Sequence, residues 1–183
     1  MRNGHTTHRS GYLRQPAQAL HQSRASAGGA ATDAGGSLFD LLGIPPYNQD
    51  DEGKPPGIVT EFKARIRAAD AILIATPEYN YSIPGVLKNA IDWASRPYGD
   101  NSWAGKPVAV MGASPGMVGT ARAQYHLRQC FVFLDMHPVN KPEVMIGLAG
   151  QRCDAEGSLT DEKSKQMIGS LLAALAALTR KLK

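Results

Sequence analysis

The chain has 183 residues, 43% of them hydrophobic and 20% charged, which is the size and texture of a single globular domain. Its net charge of +4 does not describe a nucleic-acid binder, because residues 1–36 carry +3 of it, through Arg2, Arg9, Arg14 and Arg24 against Asp33, and residues 37–183 are nearly neutral at +1. Two cysteines are too few for a disulfide framework or a multi-cysteine metal site, no apolar run reaches the roughly 20 residues of a membrane span, and no secretory segment opens the chain. The expectation is a reduced, cytoplasmic protein with no metal, membrane or nucleic-acid partner.

Residues 1–36 differ from the rest. They lack Val, Ile, Phe and Trp, hold three of the five histidines and end in a run of small residues from Ala25 to Gly36. No strand alternation or helical stripe is present, so a disordered or tail-like segment is expected there, with the folded domain over 37–183. Ser37–Leu42 reads as a weak strand, and Gly43–Asn48, with Pro45 and Pro46, as a loop. Ile58, Val59, Phe62 and Ile66 predict a helix to Ala69. The run Asp70–Thr76 predicts a strand buried on both faces.

A helix is expected over Pro84–Ser95 with Pro in its first turn, then a second buried strand over Pro107–Gly112. A helix over Gly119–Leu134, a short strand over Met136–Val139 and a final helix over Asp161–Leu182 follow. The stripe of the last runs Met167, Ile168, Leu171, Leu172, Leu175 and Leu178, and Asp161 and Glu162 suit its N-terminal dipole. Strands alternating with helices predict an α/β fold, a doubly wound parallel sheet with helices on both faces.

Ligands of such sheets bind beyond the carboxyl ends of the strands. Two loops stand there. Pro77-Glu78-Tyr79-Asn80-Tyr81-Ser82-Ile83-Pro84 is stiffened by its prolines and offers amides and Tyr79 to a flat heteroaromatic ring. Ala113-Ser114-Pro115-Gly116-Met117-Val118-Gly119 is a glycine-rich turn that permits close backbone approach. Each by itself also reads as an ordinary connector; the pair favours a flat-ligand site.

The stretch Ala75–Trp93, Ala-Thr-Pro-Glu-Tyr-Asn-Tyr-Ser-Ile-Pro-Gly-Val-Leu-Lys-Asn-Ala-Ile-Asp-Trp, closely resembles the signature of the NADPH-dependent FMN reductases, a family of flavodoxin-like chromate, quinone and azo-dye reductases. Gly105–Val108, Gly112–Gly116 and Ala121–Arg128 resemble its next strand, loop and helix, and the resemblance runs from about Leu38 to the C-terminus. It implies FMN held by Pro77, Glu78, Tyr79 and Asn80 and by Ser114 and Gly116. It further implies hydride transfer from NAD(P)H through that FMN to a small acceptor such as a quinone, azo dye, metal ion or free flavin, in a homodimer or homotetramer. The cofactor carries the chemistry, so no catalytic side chain is assigned, and Glu78 is expected in the ring-binding loop rather than as a general base.

The family pattern opens with a buried strand and a Gly-Ser-Leu-Arg phosphate loop, which this text lacks; Gly11-Tyr12-Leu13-Arg14 matches only superficially. If Arg14–Gln18 are written CGG-CAG-CCT-GCG-CAA, reading from the second base gives Gly-Ser-Leu-Arg-Lys. Ala19–Ser26, written GCC-CTC-CAC-CAA-TCG-CGC-GCT-TCT, then continue as Pro-Ser-Thr-Asn-Arg-Ala-Leu-Leu. The expectation is that residues 1 to about 36 are translated out of frame; a natural tail on a divergent homologue is the alternative. The leading function is thus an FMN-dependent reductase. A flavodoxin-like electron carrier, disfavoured by the near-neutral body, and an inactive family member without its phosphate loop are the alternatives. Among the remaining residues, Cys130 reads as a structural thiol, His126 and His137 as isolated, Trp93 as core, and Trp103 as a loop residue at a site rim or a subunit contact.

Overall fold

In a computed structural model of the chain, residues 38–183 are described. The elements are α1 (Gly57–Ala68), β1 (Ile72–Ala75), α2 (Gly85–Ala94), β2 (Pro107–Ala113), α3 (Ala121–Leu134), β3 (His137–Pro138), β4 (Val144–Ile146) and α4 (Glu162–Leu182), with short 3-10 turns at Gln49–Asp51 and Ala149–Gln151. The readings made for residues 1–36 lie outside the described residues. From Leu38 to Leu42 there is no strand. Instead Phe39 packs on Phe62 at 4.7 Å between ring centroids. The loop after it is tied to α2, where Asn89 Nδ2 and Trp93 Nε1 both donate to the Pro45 carbonyl, at 2.9 and 2.8 Å.

The sheet is parallel throughout, as the alternation of strands and helices demands. β2 is its axis. Ile72–Ala75 pair with Val108–Met111 on one edge. On the other edge β3 meets Pro107 and Val108, and β4 meets Met111, Gly112 and Ala113. The predicted strand over 136–139 is cut to two residues, and the chain rejoins β2 only after Pro142. β4 was not expected from the sequence, since Val144–Ile146 is too short a run to stand out beside Pro142.

All seven residues of β2 are buried, because both of its faces are covered. Val108 and Val110 face a core formed with Phe62 and Ile66 of α1, Ala90 and Ile91 of α2, and Leu127 and Phe131 of α3. Ala109, Met111 and Ala113 face the other way, onto Ile168, Leu171 and Leu175 of α4. Helices therefore lie on both faces, the doubly wound arrangement that the sequence predicts. Trp93 is core, as expected. Trp103 is core too, with neither a rim nor an intersubunit place: it is 3% exposed, edge-on to Phe62, and its Nε1 donates to the Ile91 carbonyl. Asp161 caps α4, accepting from the Ser164 amide at 2.8 Å.

α3 carries a contrast that tests this packing. Phe131 is 1% exposed and Phe133 is 72% exposed. Phe131→Ala is expected to cost about 3–5 kcal/mol in urea unfolding, and Phe133→Ala within about 0.5 kcal/mol. Equal losses would contradict the burial described.

Candidate functional site

The two loops singled out in the sequence leave the carboxyl ends of neighbouring strands, β1 and β2. They are drawn together at the strand ends, where the Thr76 amide donates to the Met111 carbonyl at 3.0 Å. Gly112 lies at the closest approach. A Cβ there would stand well inside 3.0 Å of both the Thr76 carbonyl oxygen and Thr120 Oγ1. Only glycine leaves room for the two loops to start side by side.

In the first loop, Tyr79 and Ser82 exchange both backbone hydrogen bonds, at 3.0 and 2.9 Å, around Asn80 at φ +49° and Tyr81 at φ +67°. Positive φ at both central residues is the pattern of a type I′ turn. Asn tolerates that conformation; for Tyr81 it costs about 1–2 kcal/mol. The Arg122 guanidinium lies 3.8 Å from the centroid of the Tyr81 ring and holds it in place.

The Glu78 side chain leaves this turn for the start of α3, the helix that follows the second loop. Its carboxylate accepts from the Arg122 and Ala123 amides, at 2.9 and 3.0 Å, and from Arg122 Nη1 at 2.9 Å. Thr120, at the capping position, makes no side-chain capping bond, so a residue 44 positions away caps the helix instead. Burial pushes the Glu78 carboxyl up, but the two amides and the guanidinium outweigh it and hold it below its ordinary 4.5.

The second loop is closed from within and from outside. Ser114 is buried, and its Oγ donates to the Gly119 carbonyl at 2.6 Å. The loop after β4 braces it: the Leu148 amide donates to Gly116 O and the Ala149 amide to Ser114 O, both at 3.0 Å. At Gly147 a Cβ would run into the Met117 backbone.

All six residues expected at the ring site thus stand at one end of the sheet. Tyr79, Asn80 and Gly116 are exposed, Pro77 and Glu78 are half-buried, and Ser114 is buried. The Ser114 hydroxyl and the Glu78 carboxylate are spent on shaping the loops. Sequence reasoning missed Arg122, Gly112 and the Gly147–Ala149 brace. Gly112 was legible as a glycine ending an apolar strand; the partnership of Glu78 with α3 carries no local signal. Cys130 is half-buried, and burial pushes its thiol up, away from reactivity. His126 has Ser82 Oγ within 3.0 Å of Nδ1. Among the described residues there is no metal-binding cluster, and no helix is long and apolar enough to cross a membrane.

Two tests follow from this geometry. Gly112→Ala is expected to destabilise by about 1–3 kcal/mol in urea unfolding, against little change for Gly150→Ala, where a Cβ meets nothing within 4 Å. Because the native Glu78 carboxyl sits low, its stabilisation is complete above about pH 4.5 and is lost as pH falls through the native value. The stability gap between the wild type and Glu78→Ala, about 0.5–2 kcal/mol at neutral pH, should close on acidification. A gap independent of pH would rule out the carboxylate as its source.

The model of the NADPH-dependent FMN reductases matches residues 6–151. The match starts further toward the N-terminus than Leu38, and ends before the C-terminus. An NAD(P)H-dependent FMN reductase of Pseudomonas aeruginosa is 58% identical over 148 residues, covering 80% of this chain and 79% of that protein. A 2-hydroxy-1,4-benzoquinone reductase of a Burkholderia species is 42% identical over 170 residues, covering 93% of each. Among solved structures, the flavoenzyme NAD(P)H:(acceptor) oxidoreductase FerB of Paracoccus denitrificans superposes with a TM-score of 0.78 at 38% identity, covering 90% of this chain and 89% of that one. With a parallel sheet wound on both faces and this signature at its carboxyl end, the chain belongs to the NADPH-dependent FMN reductase family.

Proposed function

We propose that this chain is built as an NAD(P)H-dependent flavin oxidoreductase acting on quinones and similar small acceptors. The observation that carries the reading is the pair of braced loops at the carboxyl ends of β1 and β2, in a chain that shares its family with quinone and FMN reductases. FMN, when bound, would supply the two-electron chemistry.

The described residues suit the ring of that cofactor. The backbone amides of Asn80, Tyr81, Gly116 and Met117 have no partner among the described residues and stand beside the exposed side chains of Tyr79, Tyr81 and Met117. A flat heteroaromatic group asks for both, donors at its polar edge and apolar surface for its face. Pro77, Glu78, Tyr79, Asn80, Ser114 and Gly116 are the residues assigned to hold it. Glu78 acts through α3, by fixing the turn that presents Tyr79 and Asn80. Ser114 acts through Gly119, by fixing the loop that presents Gly116.

The phosphate is a different matter. No Gly-Ser-Leu-Arg loop occurs in residues 38–183. The start of α3, beside the ring loops, has given its first amides to Glu78.

The same reading makes the protein a cytoplasmic homodimer or homotetramer. Exposed Tyr125 and Val132 on α3 support self-association. Nicotinamide oxidation with 1,4-benzoquinone as acceptor, measured across FMN concentrations, tests the function. An FMN-dependent rate with NADH or NADPH is expected. A protein-bound flavin that dithionite reduces and neither nicotinamide does would identify an electron carrier instead.

A further inference from the structure

The brace on the second loop contains a residue that has to be held. Leu148 stands at φ +51° and ψ +44°, in the left-handed region, where a leucine Cβ crowds the following carbonyl. Such a conformation persists only where the surroundings over-determine it. On one side the Leu148 and Ala149 amides donate to Gly116 O and Ser114 O in the second loop.

Arg152 supplies the hold from the other side. Its Nε donates to the Gly147 carbonyl at 2.9 Å, and its Nη1 donates to Asp161 Oδ2 at 2.9 Å. Gly147 O and the Leu148 amide belong to one planar trans peptide and point opposite ways. Fixing the carbonyl on Arg152 therefore fixes the direction in which the Leu148 amide meets Gly116. Nε and Nη1 lie on one rigid guanidinium plane, so the bond to Asp161 aims the bond to Gly147.

The fork is anchored in turn. Asp161 Oδ2 also accepts from the Ser164 amide at 2.8 Å and from Ser164 Oγ at 2.5 Å, at the start of α4. The Arg152 carbonyl accepts from the Thr160 and Asp161 amides, at 2.8 and 3.2 Å, and from Thr160 Oγ1 at 3.1 Å. Arg152 is thus tied to the root of α4 by backbone and side chain, and α4 is seated on β2. With the two side chains 36% and 28% exposed, the Arg152–Asp161 ion pair by itself adds little stability. Its geometry is what the second loop uses.

We infer that Arg152 is a positioning residue for the second loop: its guanidinium sets the Gly147–Leu148 peptide from α4, and that peptide holds Gly116 where the flavin ring is to meet it. The inference rests on the flavin reductase reading for what the loop receives, and on the contacts above for how the loop is held.

The test uses the full chain and its Arg152→Ala and Arg152→Lys variants. Native-state amide exchange is followed at Leu148 and Ala149, with Val110 in the middle of β2 as the reference for general loosening. FMN is titrated into each protein and followed by flavin fluorescence. In Arg152→Ala, exchange at Leu148 and Ala149 is expected to rise about tenfold or more relative to Val110. The FMN dissociation constant is expected to rise about tenfold, the scale of one hydrogen bond to a charged group. Arg152→Lys keeps the charge without the fork and is expected to share both losses, since one ammonium cannot hold both partners as the fork does.

Exchange that rises in equal proportion at all three amides overturns the inference, because Arg152 then serves general stability alone. Unchanged protection at Leu148 and Ala149 overturns it as well. So does a lysine variant indistinguishable from the wild type, and so does a local loss of protection with unaltered FMN affinity. A wild-type chain that binds no FMN removes the functional reading, and the exchange ratio still decides whether Arg152 holds the loop. A wild-type chain that binds FMN and oxidises NADH or NADPH, with no change of either kind in the variants, keeps that reading and removes this inference.

Discussion

Glu78 leaves the loop after β1 and places Oε2 on the first turn of α3, where it takes the Arg122 and Ala123 amides that helix geometry leaves without partners. The carboxyl end of the sheet depends on that contact. It ties the exit of one strand to the helix that follows the next, so the two loops between them have fixed ends. The Arg122 guanidinium extends the tie by bonding Glu78 and lying over Tyr81, across the turn that carries two left-handed residues. A helix start, an ion pair and a strained turn are thus one unit, and a charge in a catalytic-looking motif serves as a fastener.

Beneath that unit, β2 supplies the reference for everything else. Its two faces sort the helices, α1 to α3 on one side and α4 on the other, and its two edges sort the strands. Gly112 near its end lets Thr76 and Thr120 approach from both sides. The surface formed by the two loops is therefore backbone-rich by necessity. The side chains that hold its shape point inward or sideways, and what remains toward solvent is amide, aromatic ring and thioether. Such a surface suits the flat cofactor proposed for it, whose own atoms would do the chemistry.

The fold was largely legible. Val108–Met111 and Ile72–Ile74 are apolar on every residue, as strands covered on both faces are, and turn residues bound both runs. α4 was legible from its stripe, α2 from its spacing. What failed was short or irregular: the stretch after Leu38 packs as a loop through Phe39 rather than as a strand, and β4 is three residues long. Trp103 looked like a loop residue because it is one, and its burial depends on Phe62, 41 positions earlier.

For the six residues proposed to hold the ring, local sequence suffices to place them at strand ends, because a buried strand followed by proline or glycine leaves the chain little else to do. Their roles required the tertiary structure. Nothing near Glu78 announces that its partner lies 44 residues on, at a helix whose capping residue makes no side-chain capping bond. Nothing near Gly147 announces that Met117 fills the space where a side chain would go. Composition and periodicity act between neighbours in the chain and so fix which segments are strands and which helices. The direction of a carboxylate and the clearance at a glycine exist only after distant segments have been packed together, and it is these that decide how the two loops are held.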